Sequence, residues 1–338
     1  MKKKRSKKFN NTLTILLAIG DIIAIFCFIL FYGTKFKTTF INTAMNTMEH
    51  QYLAKVFYSQ KTIDKVMASN YFVELNTDAN LDDIVIDTSI KTTFKDEYEK
   101  ELLTRNEGDL YKLLNIKVGS ANGYLVAIYD PTKVQLVSKE VLGTSTGERI
   151  ITMCERYGGS VCINGGGFVD NGYGSGIPMG YVIENGVIRW SDGDASTTVG
   201  NIIGITAEGK LKLMSNATGM EALNAGVVDG LEFGPFLIVN GKKLEIVGDP
   251  WGRSPRVAIA QRKDGVMMFL VVDGENYING ASLGDVIDTL EKYGAYNASN
   301  LDGGTSATLI IGGRLVNNPP KAKATNGRYV ITGWGLIP

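Results

Sequence analysis

The sequence contains a single histidine, His50, which lies far from the glycine-rich second half of the chain. Serine and cysteine nucleophiles of the usual kind need a neighbouring histidine as general base, and most zinc sites use histidine ligands. The chain after His50 therefore lacks a Ser-His-Asp apparatus, a Cys-His apparatus and a histidine metal site. Any catalysis there depends on carboxylates, arginine, tyrosine, amides and the backbone.

The chain also lacks an excess of charge of either sign. It has 35 basic and 35 acidic residues among its 338, so its formal net charge is zero. Without a basic surplus, bulk electrostatics give no attraction to nucleic acid, and we expect no nucleic-acid partner. The basic residues are nevertheless unevenly placed, since six of the first eight residues are lysine or arginine.

An apolar run over residues 13–33 follows this basic tail. About 20 apolar residues cross a bilayer as a helix, and a basic flank precedes both membrane anchors and cleavable signal peptides. The bulky residues at 31–36 do not resemble a small-residue cleavage site, so we predict an uncleaved anchor. The positive-inside rule then places residues 1–12 in the cytoplasm and the chain after residue 33 outside the cell. The predicted location is the cell membrane, with a single pass.

Cysteine is scarce, with three residues in the whole chain. Cys27 lies within the apolar run, which leaves Cys154 and Cys162 as the one pair that can bridge. A disulfide is compatible with an oxidising compartment, and two buried thiols are equally compatible with the pattern. Both alternatives stay open at this point.

Residues 34–112 form the next segment, which is rich in helix formers and then polar. Apolar residues from Ile41 to Phe57 recur at approximately helical spacing. We therefore predict an extracellular helical stalk and linker over residues 34–112. The apolar stripe leaves pairing of two copies, through the stalk or the membrane helix, as an open alternative.

Residues 113–338 have a different character, because short runs of Val, Ile, Tyr and Thr alternate with glycine-containing turns. Such runs are strand and hairpin signals. Two helices interrupt them, one around Ile150–Tyr157 and one that begins at Ser282 with Asp285 three residues later. The fold class predicted for this domain is α+β, with a mixed, twisted β-sheet and few helices, preceded by the transmembrane helix and the stalk.

Two motifs in this domain carry the strongest functional signal. We call Asn164-Gly165-Gly166-Gly167-Phe168 the first glycine loop and Asn300-Leu301-Asp302-Gly303-Gly304-Thr305-Ser306 the second glycine loop. Each follows a predicted helix and a predicted strand. If the two strands run the same way in one sheet, both loops emerge at the same edge. We expect their backbone N–H groups and one acid to face a small anionic ligand.

Further acids and arginines accompany the two loops. Asp273 ends a predicted strand, Asp170 follows the first glycine loop, and Arg253 and Arg256 precede another strand. Each has an ordinary structural explanation, since Asp-Gly is common in turns and an exposed arginine often forms a surface ion pair. Their joint occurrence in a part of the chain without histidine favours a ligand that contains phosphate, which guanidinium groups bind in a bidentate manner.

These motifs resemble the phosphodiester glycosidase family over residues 113–338, in the family's motif order. Pro178-x-Gly180, Gly234-Pro235 and Asn318-Pro319 add to the resemblance. The sequence departs from the family pattern at Gly167, Thr305 and Glu275, where an aromatic residue, a third glycine and an arginine are usual. The resemblance implies hydrolysis of a sugar-1-phosphate diester at the anomeric carbon, as with N-acetylglucosamine-1-phosphodiester, without a cofactor.

The resemblance also implies roles for individual residues. Asp302, with Asp273 as the other candidate, supplies the catalytic carboxylate, and Arg256 stabilises the phosphate. Asn164 and Asn300 hold sugar hydroxyls or the acetamido group. The other predicted substrate-binding residues are Gly165, Gly166, Phe168, Asp170, Arg253, Gly303, Gly304, Thr305 and Ser306. Whether a metal ion is bound stays open.

The expected function is that of a membrane-anchored extracellular glycosidase, with a phosphorylated glycan of an exopolysaccharide or cell-wall glycopolymer as its substrate. One alternative is a non-catalytic protein that binds anionic cell-surface glycopolymers. Such a protein tolerates Asp302→Asn, whereas the enzyme does not. A weaker alternative is a metal-dependent phosphodiesterase that uses the acids as oxygen ligands, which insensitivity to a chelator excludes.

Overall fold

The computed structural model describes residues 2–46, 50–169, 176–274, 280–319 and 326–338. Its α-helices are α1 (Lys2–Tyr32), α2 (Thr34–Met45), α3 (Gln51–Phe57), α4 (Gln60–Ala68), α5 (Glu97–Leu103), α6 (Ile150–Arg156), α7 (Gly219–Asn224) and α8 (Leu283–Lys292). Short 3-10 helices lie at Leu81–Asp83, Pro131–Lys133 and Gly304–Ser306.

The strands lie mostly after residue 110. They are β1 (Tyr71–Val73), β2 (Tyr111–Val118), β3 (Ala121–Ile128), β4 (Val134–Ser138), β5 (Glu148–Arg149), β6 (Val161–Asn164), β7 (Val182–Glu184), β8 (Val187–Trp190), β9 (Val199–Thr206), β10 (Leu211–Thr218), β11 (Val227–Glu232), β12 (Phe236–Val239), β13 (Lys242–Lys243), β14 (Glu245–Val247), β15 (Arg256–Arg262), β16 (Met267–Val272), β17 (Ala295–Leu301), β18 (Leu309–Ile311), β19 (Arg314–Leu315), β20 (Tyr329–Val330) and β21 (Thr332–Leu336).

Helix α1 contains an apolar segment, Asn11–Ile29, with a mean hydropathy of 2.5 over 19 residues and no burial. Its length and composition suit a membrane span. A membrane anchor and a signal sequence both have this form near an N-terminus, so the segment is compatible with either. Cys27 is exposed on this helix.

The chain divides into two compact units. The first comprises Met1–Tyr71 with Gly248–Gly252, and the second comprises Phe72–Val247 with Arg253–Pro338. Residues 72–112, which the sequence assigns to the stalk and linker, belong to the second unit. Their helix α5 is anchored there, since its Leu102 is fully buried and the Leu102 carbonyl accepts a hydrogen bond from the Tyr129 hydroxyl at 2.7 Å.

The first unit has a small apolar core. The buried members of this core are Ile41, Ala44, Ala54, Tyr58, Ile63 and Val66. Asn42 donates from Nδ2 to the carbonyl of Asp249 at 2.7 Å, and the Asp249 N–H donates to Oδ1 of Asn70 at 2.8 Å. These two contacts tie the segment Gly248–Gly252 into the first unit.

The second unit contains three large sheets. One five-stranded sheet has the order β10-β9-β11-β7-β8, the seven-stranded sheet has the order β13-β12-β17-β15-β16-β3-β2, and the other five-stranded sheet has the order β19-β18-β6-β21-β4. Neighbouring strands in these sheets pair antiparallel. The central strands β15 and β16 are buried along their whole length, as expected for strands covered on both faces. The predicted α+β class is confirmed.

The helices of the second unit follow their sequence signals. Ser282 and Asp285 form a reciprocal capping box at the start of α8, as their spacing predicts, and Leu283, Val286, Ile287 and Leu290 face the core. Helix α6 buries Ile150, Met153 and Cys154. The six-residue helix α7 was not predicted, because it is too short to show an apolar period.

A disulfide joins Cys154 of α6 to Cys162 of β6, with a Cα–Cα distance of 5.9 Å. Both residues are buried, at 2% and 0% exposure. The structure therefore resolves the alternative left open by the sequence in favour of the bridge.

Candidate active site

Three predicted site residues lie at one end of the seven-stranded sheet. Strands β17 and β16 end at Leu301 and Val272, where β15 begins, because Leu301 pairs with Val257 and Val272 pairs with Arg256. Asp302 and Asp273 directly follow these two strand ends. The antiparallel register thus brings the two acids to either side of Arg256.

The two glycine loops meet at this end of the sheet. The N–H of Asp302 donates to the carbonyl of Gly165 at 2.9 Å, and Nδ2 of Asn164 donates to the carbonyl of Asp302 at 2.6 Å. Oδ1 of Asn164 accepts from the N–H of Thr308 at 3.0 Å. The side chain of Asn164 is 1% exposed and both ends of its amide are hydrogen-bonded, so it holds the loops together.

The route by which the loops meet differs from the expected one. Strand β6, which leads to the first loop, lies in a five-stranded sheet, whereas β17, which leads to the second loop, lies in the seven-stranded sheet. The two strands therefore do not share one sheet, the condition on which the expected convergence depended, although the loops do meet. The loops converge because the two sheets end at the same place, where β6 and β17 face each other across the junction.

The glycines of the first loop serve mainly close packing. The N–H groups of Gly165 and Gly166 donate to the carbonyl and the Oγ1 of Thr332, at 2.9 and 3.0 Å, so the fold itself uses them. A Cβ atom at Gly165 would lie 2.8 Å from Thr332 Oγ1 and 2.8 Å from Leu231 Cδ2. Only glycine allows the strands to approach this closely.

In the second glycine loop, close packing also requires glycine, but some of the backbone N–H groups are not used by the fold. A Cβ atom at Gly303 would lie 2.6 Å from the carbonyl of Pro255, which also accepts the N–H of Gly304 at 3.0 Å. Within the described parts of the chain, the N–H groups of Gly303 and Thr305 have no hydrogen-bond partner. Both residues are partly exposed, which makes their N–H groups candidates for contact with a ligand.

The two candidate carboxylates have different surroundings. Asp273 is 4% exposed, and its carboxylate accepts hydrogen bonds from the Asn318 N–H at 2.8 Å and from the Tyr124 hydroxyl at 3.1 Å. Asp302 is partly exposed at the junction of the loops. Asp273 therefore fixes the segment around Asn318, whereas Asp302 is the acid with access to the solvent side of the site.

The two predicted arginines also differ. Arg256 is 6% exposed, and its Nε donates to the carbonyl of Ala281 at 3.0 Å. Arg253 is paired through Nη1 with Oδ2 of Asp285, at 3.0 Å, and so lies at the start of α8. The charge of Arg253 is thereby matched locally, while Arg256 lies between the two acidic strand ends.

Asn300 has an unsatisfied side-chain atom. Its Nδ2 donates to the carbonyl of Gly234 at 3.2 Å, but its buried Oδ1 has no hydrogen-bond partner among the residues that the structure describes. A buried acceptor left without a partner costs about 1 to 3 kcal/mol. Such an atom beside a site is suited to accept a hydrogen bond from a ligand or a bound water.

The structure places other predicted residues around this junction. Ser306 is 1% exposed, and its carbonyl accepts a hydrogen bond from the Thr308 hydroxyl at 2.9 Å, so it supports the second loop from beneath. Phe168 is 8% exposed and packs in the apolar core between α6 and the five-stranded sheet that contains β6 and β18. Asp170 lies outside the described residues, as does Glu275.

Arg328 is a candidate residue that the sequence analysis missed. Its Nη1 lies 2.9 Å from Oγ1 of Thr305, and its Cζ lies 5.0 Å from the centre of the Phe168 ring. It therefore joins the ends of both glycine loops. The one signal in the sequence was an arginine directly before a strand near the C-terminus, which by itself indicates nothing.

Glu232 is a second residue that the sequence analysis missed. It is the last residue of β11, in the five-stranded sheet β10-β9-β11-β7-β8. Its carbonyl oxygen would lie 3.1 Å from a Cβ atom at Gly166. Burial raises the pKa of the Glu232 carboxyl, with a further contribution from nearby Asp192. Within the described residues, the carboxylate has no hydrogen-bond partner, and a Cβ at Gly180 or Gly200 would collide with it. In the sequence, the one indication that Glu232 belongs to the site is its position directly before Phe233-Gly234-Pro235, which includes a motif of the family resemblance.

A separate cavity of about 430 Å³ lies at the opposite end of β15. Arg262, which lines it, is paired with Glu99 at 2.7 Å and with Asp264 at 2.9 Å. These ion pairs give Arg262, Glu99 and Asp264 a structural role in this cavity. Among the described residues, no group of three or more His, Cys, Asp or Glu side chains lies close enough together to hold a metal ion.

Comparison with known proteins gives a consistent family. A family model described as phosphodiester glycosidase matches residues 157–337. The chain is 29% identical over 199 residues to the SPbeta prophage-derived uncharacterized protein YomE of Bacillus subtilis (strain 168), which covers 56% of this chain and 30% of YomE. It is 38% identical over 66 residues to N-acetylglucosamine-1-phosphodiester alpha-N-acetylglucosaminidase of Bos taurus, which covers 20% of this chain and 12% of that enzyme. The chain thus spans less than a third of either relative.

A solved structure shows the same fold. The catalytic domain of zebrafish N-acetylglucosamine-1-phosphodiester alpha-N-acetylglucosaminidase, auto-inhibited by its pro-peptide, superposes with a TM-score of 0.57 and 20% identity, over 69% of this chain and 85% of that one. At this identity the similarity concerns the fold alone. Because the family model covers more than half of the 338 residues, the chain belongs to the phosphodiester glycosidase family.

Proposed function

We propose that this chain is a membrane-anchored, extracellular glycosidase that hydrolyses a sugar-1-phosphate diester in an exopolysaccharide or cell-wall glycopolymer. Family membership supports a glycosidase-type function. One observation carries the proposal for the site, namely the pair of hydrogen bonds that join Asn164 and Gly165 to Asp302. They hold a partly exposed carboxylate at the junction of the two glycine loops.

The proposed reaction suits a site without histidine. Water attacks the anomeric carbon, the bond from this carbon to the phosphate oxygen breaks, and the electron pair leaves with the phosphate as a phosphomonoester. Ordinary glycosidases need a protonated carboxylic acid to help an alkoxide leave. A phosphate is already a good leaving group, so it needs charge stabilisation more than it needs a proton. Arginine and backbone N–H groups supply that stabilisation.

Each site residue has a proposed part in this reaction. Asp302 uses its carboxylate form, either to take the proton from the attacking water or to stabilise the positive charge that develops on the sugar. Arg256 supplies positive charge for the phosphate, and the N–H groups of Gly303 and Thr305 add donors. The unpartnered Oδ1 of Asn300 accepts a hydrogen bond from a hydroxyl or the acetamido N–H of the sugar.

Two further residues are assigned supporting roles. Asp273 holds Asn318 and Tyr124 and is a positioning residue, so the carboxylate that performs chemistry is Asp302. Asn164 holds the loops together and touches no substrate in this proposal. These assignments follow from burial and from the hydrogen bonds that each side chain already makes.

The proposed location has two supporting observations. Helix α1 has the length and hydropathy of a membrane segment, and the basic residues before it favour a cytoplasmic N-terminus. The disulfide between Cys154 and Cys162 suits an oxidising compartment. Both agree with a second unit that faces the outside of the cell, where a glycopolymer substrate is found.

The test uses the full chain purified in detergent. It is incubated with the methyl phosphodiester of N-acetylglucosamine 1-phosphate, and free sugar and methyl phosphate are measured. We expect turnover by the wild type and a loss of at least roughly a hundredfold in Asp302→Asn, as for removal of one transition-state contact. Unchanged turnover in Asp302→Asn would remove the catalytic assignment.

Two matched variants sharpen this test. Asp288→Asn changes an aspartate with 65% side-chain exposure on α8 and should leave the rate unchanged. Asp273→Asn keeps an oxygen for the Asn318 N–H and should stay within about tenfold of the wild type, the effect of one neutral hydrogen bond. Sugar binding retained by Asp302→Asn together with no turnover by the wild type would support the non-catalytic binding protein instead. Activity that survives a chelator would exclude a metal-dependent phosphodiesterase.

A further inference from the structure

Phe233 is an aromatic residue beside the candidate site that the proposed reaction does not use. It follows Glu232, the last residue of β11, and is partly exposed. The carbonyl of the next residue, Gly234, accepts the hydrogen bond from Nδ2 of Asn300 at 3.2 Å. Phe233 therefore lies one residue from the contact that fixes the amide of Asn300.

The ring of Phe233 also lies against the first glycine loop. A Cβ atom at Gly167 would be 3.2 Å from Cε2 of this ring and 3.7 Å from Sδ of Met179. A side chain at position 167 would thus point at the ring and cover part of it, whereas glycine leaves that part uncovered. Since Met179 is itself 54% exposed, Phe233 and Met179 form an apolar surface beside the loop.

Phe233 and Asp302 both adjoin the first glycine loop. Gly167 lies against the Phe233 ring, and the carbonyl of Gly165, two residues earlier, accepts the Asp302 N–H at 2.9 Å. Asn300, two residues before Asp302, is bonded in turn to the residue after Phe233. The contacts thus run in a closed circuit from the end of β17 through the first loop to Phe233 and back, which places Phe233 on the rim of the same site.

Two side-chain amides flank this apolar surface. The Oδ1 atom of Asn300 is a buried acceptor that no described residue satisfies. Asn201 lies beside Gly234, since its Nδ2 would be 3.7 Å from a Cβ atom there, and its carbonyl accepts the Phe233 N–H at 3.1 Å. Oδ1 of Asn201 accepts the Asn216 N–H at 3.3 Å, while its Nδ2 has no partner within the ranges that the structure describes. An apolar surface with an acceptor and a donor at its edge suits a sugar, which has an apolar C–H face and hydroxyl groups around its ring.

We propose that Phe233 is the platform on which a pyranose ring of the substrate stacks, with Asn300 and Asn201 binding polar groups at the edge of that ring. Stacking removes one C–H face of the sugar from water, which is a source of affinity that an acyclic ligand cannot match. Phe233 is thereby a specificity-determining residue that selects phosphodiesters of cyclic sugars over those of acyclic polyols. This inference rests on the proposed function, because it names the substrate class of the same site.

The experiment measures binding of methyl N-acetyl-α-glucosaminide to the full chain, in a detergent whose head group is not a sugar. The proposed reaction does not cleave this glycoside, because methoxide is a poor leaving group. The wild type should bind it, and Phe233→Leu should bind it about 5- to 30-fold more weakly, because an aromatic face is lost from the contact. Phe233→Trp keeps a ring and should bind within about threefold of the wild type. Methyl glycerol phosphate, an acyclic phosphodiester, should have the same affinity for all three proteins.

Two further readouts separate stacking from a general effect on the fold. In saturation-transfer NMR, irradiation of aromatic protons of the protein should reach the ring C–H protons of the glycoside strongly in the wild type and weakly in Phe233→Leu. Phe94→Leu removes another partly exposed ring, five residues before Glu99, whose partner Arg262 lies at the opposite end of β15, and it should behave like the wild type. If Phe233→Leu does not fold, the tryptophan emission that Phe233→Trp adds to that of the wild type should change when the glycoside is added. Equal affinity for the glycoside in the wild type and a folded Phe233→Leu, no binding by the wild type, or unchanged emission of Phe233→Trp would overturn the inference.

Turnover of the methyl phosphodiester of N-acetylglucosamine 1-phosphate distinguishes this inference from the proposed function. Phe233→Leu should lower kcat/KM for this diester by about 5- to 30-fold, in line with its loss of sugar affinity. Binding of the glycoside that depends on Phe233, without any turnover by the wild type, would end the proposed function but retain the sugar platform. Equal turnover by the wild type and Phe233→Leu would retain the proposed function and overturn the platform.

Discussion

The side chain of Asn164 connects two sheets through the main chain of Asp302. Its Nδ2 lies 2.6 Å from the Asp302 carbonyl, and its Oδ1 accepts the Thr308 N–H at 3.0 Å. A single buried amide thereby fixes the position of the proposed catalytic residue. In the proposed reaction, the position of Asp302 therefore depends on a residue that needs no contact with the substrate.

Asn164→Ala tests this dependence. The variant loses the hydrogen bonds to the Asp302 carbonyl and from the Thr308 N–H, and the Thr308 N–H is buried, so the free energy of unfolding should fall by about 1 to 3 kcal/mol. Turnover of the methyl phosphodiester should fall by at least roughly tenfold even where the variant is fully folded, because Asp302 is displaced. Urea unfolding and steady-state kinetics at low temperature measure the two effects separately.

Asn297→Ala is the matched control for that variant. Asn297 is equally buried and accepts the N–H of Asn240 at 2.8 Å, but it lies four or more residues from the end of β17 where the site begins. It should lose comparable stability and keep its turnover. If both variants lose turnover in proportion to stability, Asn164 has no special part in the site.

Arg256→Lys tests the buried guanidinium. Lysine keeps the positive charge but lacks the planar donors that Arg256 directs at the Ala281 carbonyl and, in the proposed reaction, at the phosphate, so kcat/KM should fall by about 10- to 100-fold. The variant should remain folded, because the charge still lies between the two acidic strand ends. Kinetics with the methyl phosphodiester and the circular dichroism spectrum measure these two outcomes.

Arg262→Lys is the control on the same strand. Arg262 is 7% exposed, against 6% for Arg256, and its partners are Glu99 and Asp264 at the far end of β15. This variant should lose stability, because an ammonium group lacks the fork of donors with which Arg262 reaches Glu99, Asp264 and the Tyr293 carbonyl, but it should retain its kcat/KM where it is folded. An equal loss of kcat/KM in both variants would show that the location of Arg256 at the start of β15 has no special importance for turnover.

Glu232 should make stability depend on pH in a defined direction. Its pKa is raised in the folded chain above the ordinary value of 4.5, so the folded state binds more protons than the unfolded state. The stability of the wild type therefore falls as pH rises from about 4.5 through the raised pKa. Glu232→Gln cannot ionise, so its free energy of unfolding relative to that of the wild type should increase as pH rises above about 4.5.

Glu221 provides the opposite sign in the same measurement. Hydrogen bonds from Thr218 at the start of α7 lower the pKa of Glu221, so its contribution to stability is present above its ordinary pKa and is lost as pH falls. The free energy of unfolding of Glu221→Gln relative to that of the wild type should therefore be highest at low pH, where Glu221 no longer contributes. A difference between Glu232→Gln and the wild type that does not change with pH would contradict the burial of the carboxylate.

Removal of the disulfide should weaken the second unit. Cys154 and Cys162 are eight residues apart, and a bridge that closes a loop of this size contributes about 2 to 3 kcal/mol in the chain-entropy description. The double variant Cys154→Ala, Cys162→Ala should lose that much on urea unfolding. Cys27→Ser, in helix α1, should unfold like the wild type. Identical unfolding of the double variant and the wild type would show that the bridge is dispensable.

The parts of this fold that the sequence predicts are those encoded locally. Ser282 and Asp285 cap α8 where their spacing indicates, and Asp273 and Asp302 follow strand ends because the apolar runs stop there. The spacing of apolar residues and the presence of turn residues determine structure over only a few positions. These signals can therefore be recognised in a single sequence.

The arrangement of the site depends on contacts between distant residues. The sequence did not show that β6 and β17 belong to different sheets, or that Thr332 takes the N–H groups of Gly165 and Gly166. Arg328 and Glu232 carry no local motif, and they reach the site only through sheet topology. Their roles became candidates only once the pairing of the strands was known.

The position of β21 in its sheet determines when the site can form. This strand, Thr332–Leu336, lies between β6 and β4 although it comes last in the sequence. While the chain is being synthesised, β6 and β4 exist without the partner that separates them, and their unpaired edges are exposed to aggregation. Thr332 arrives with β21, and only then are the amides of Gly165 and Gly166 satisfied. A nascent chain arrested before residue 332 therefore contains every proposed substrate-binding residue but lacks the strand that gives the first glycine loop its shape.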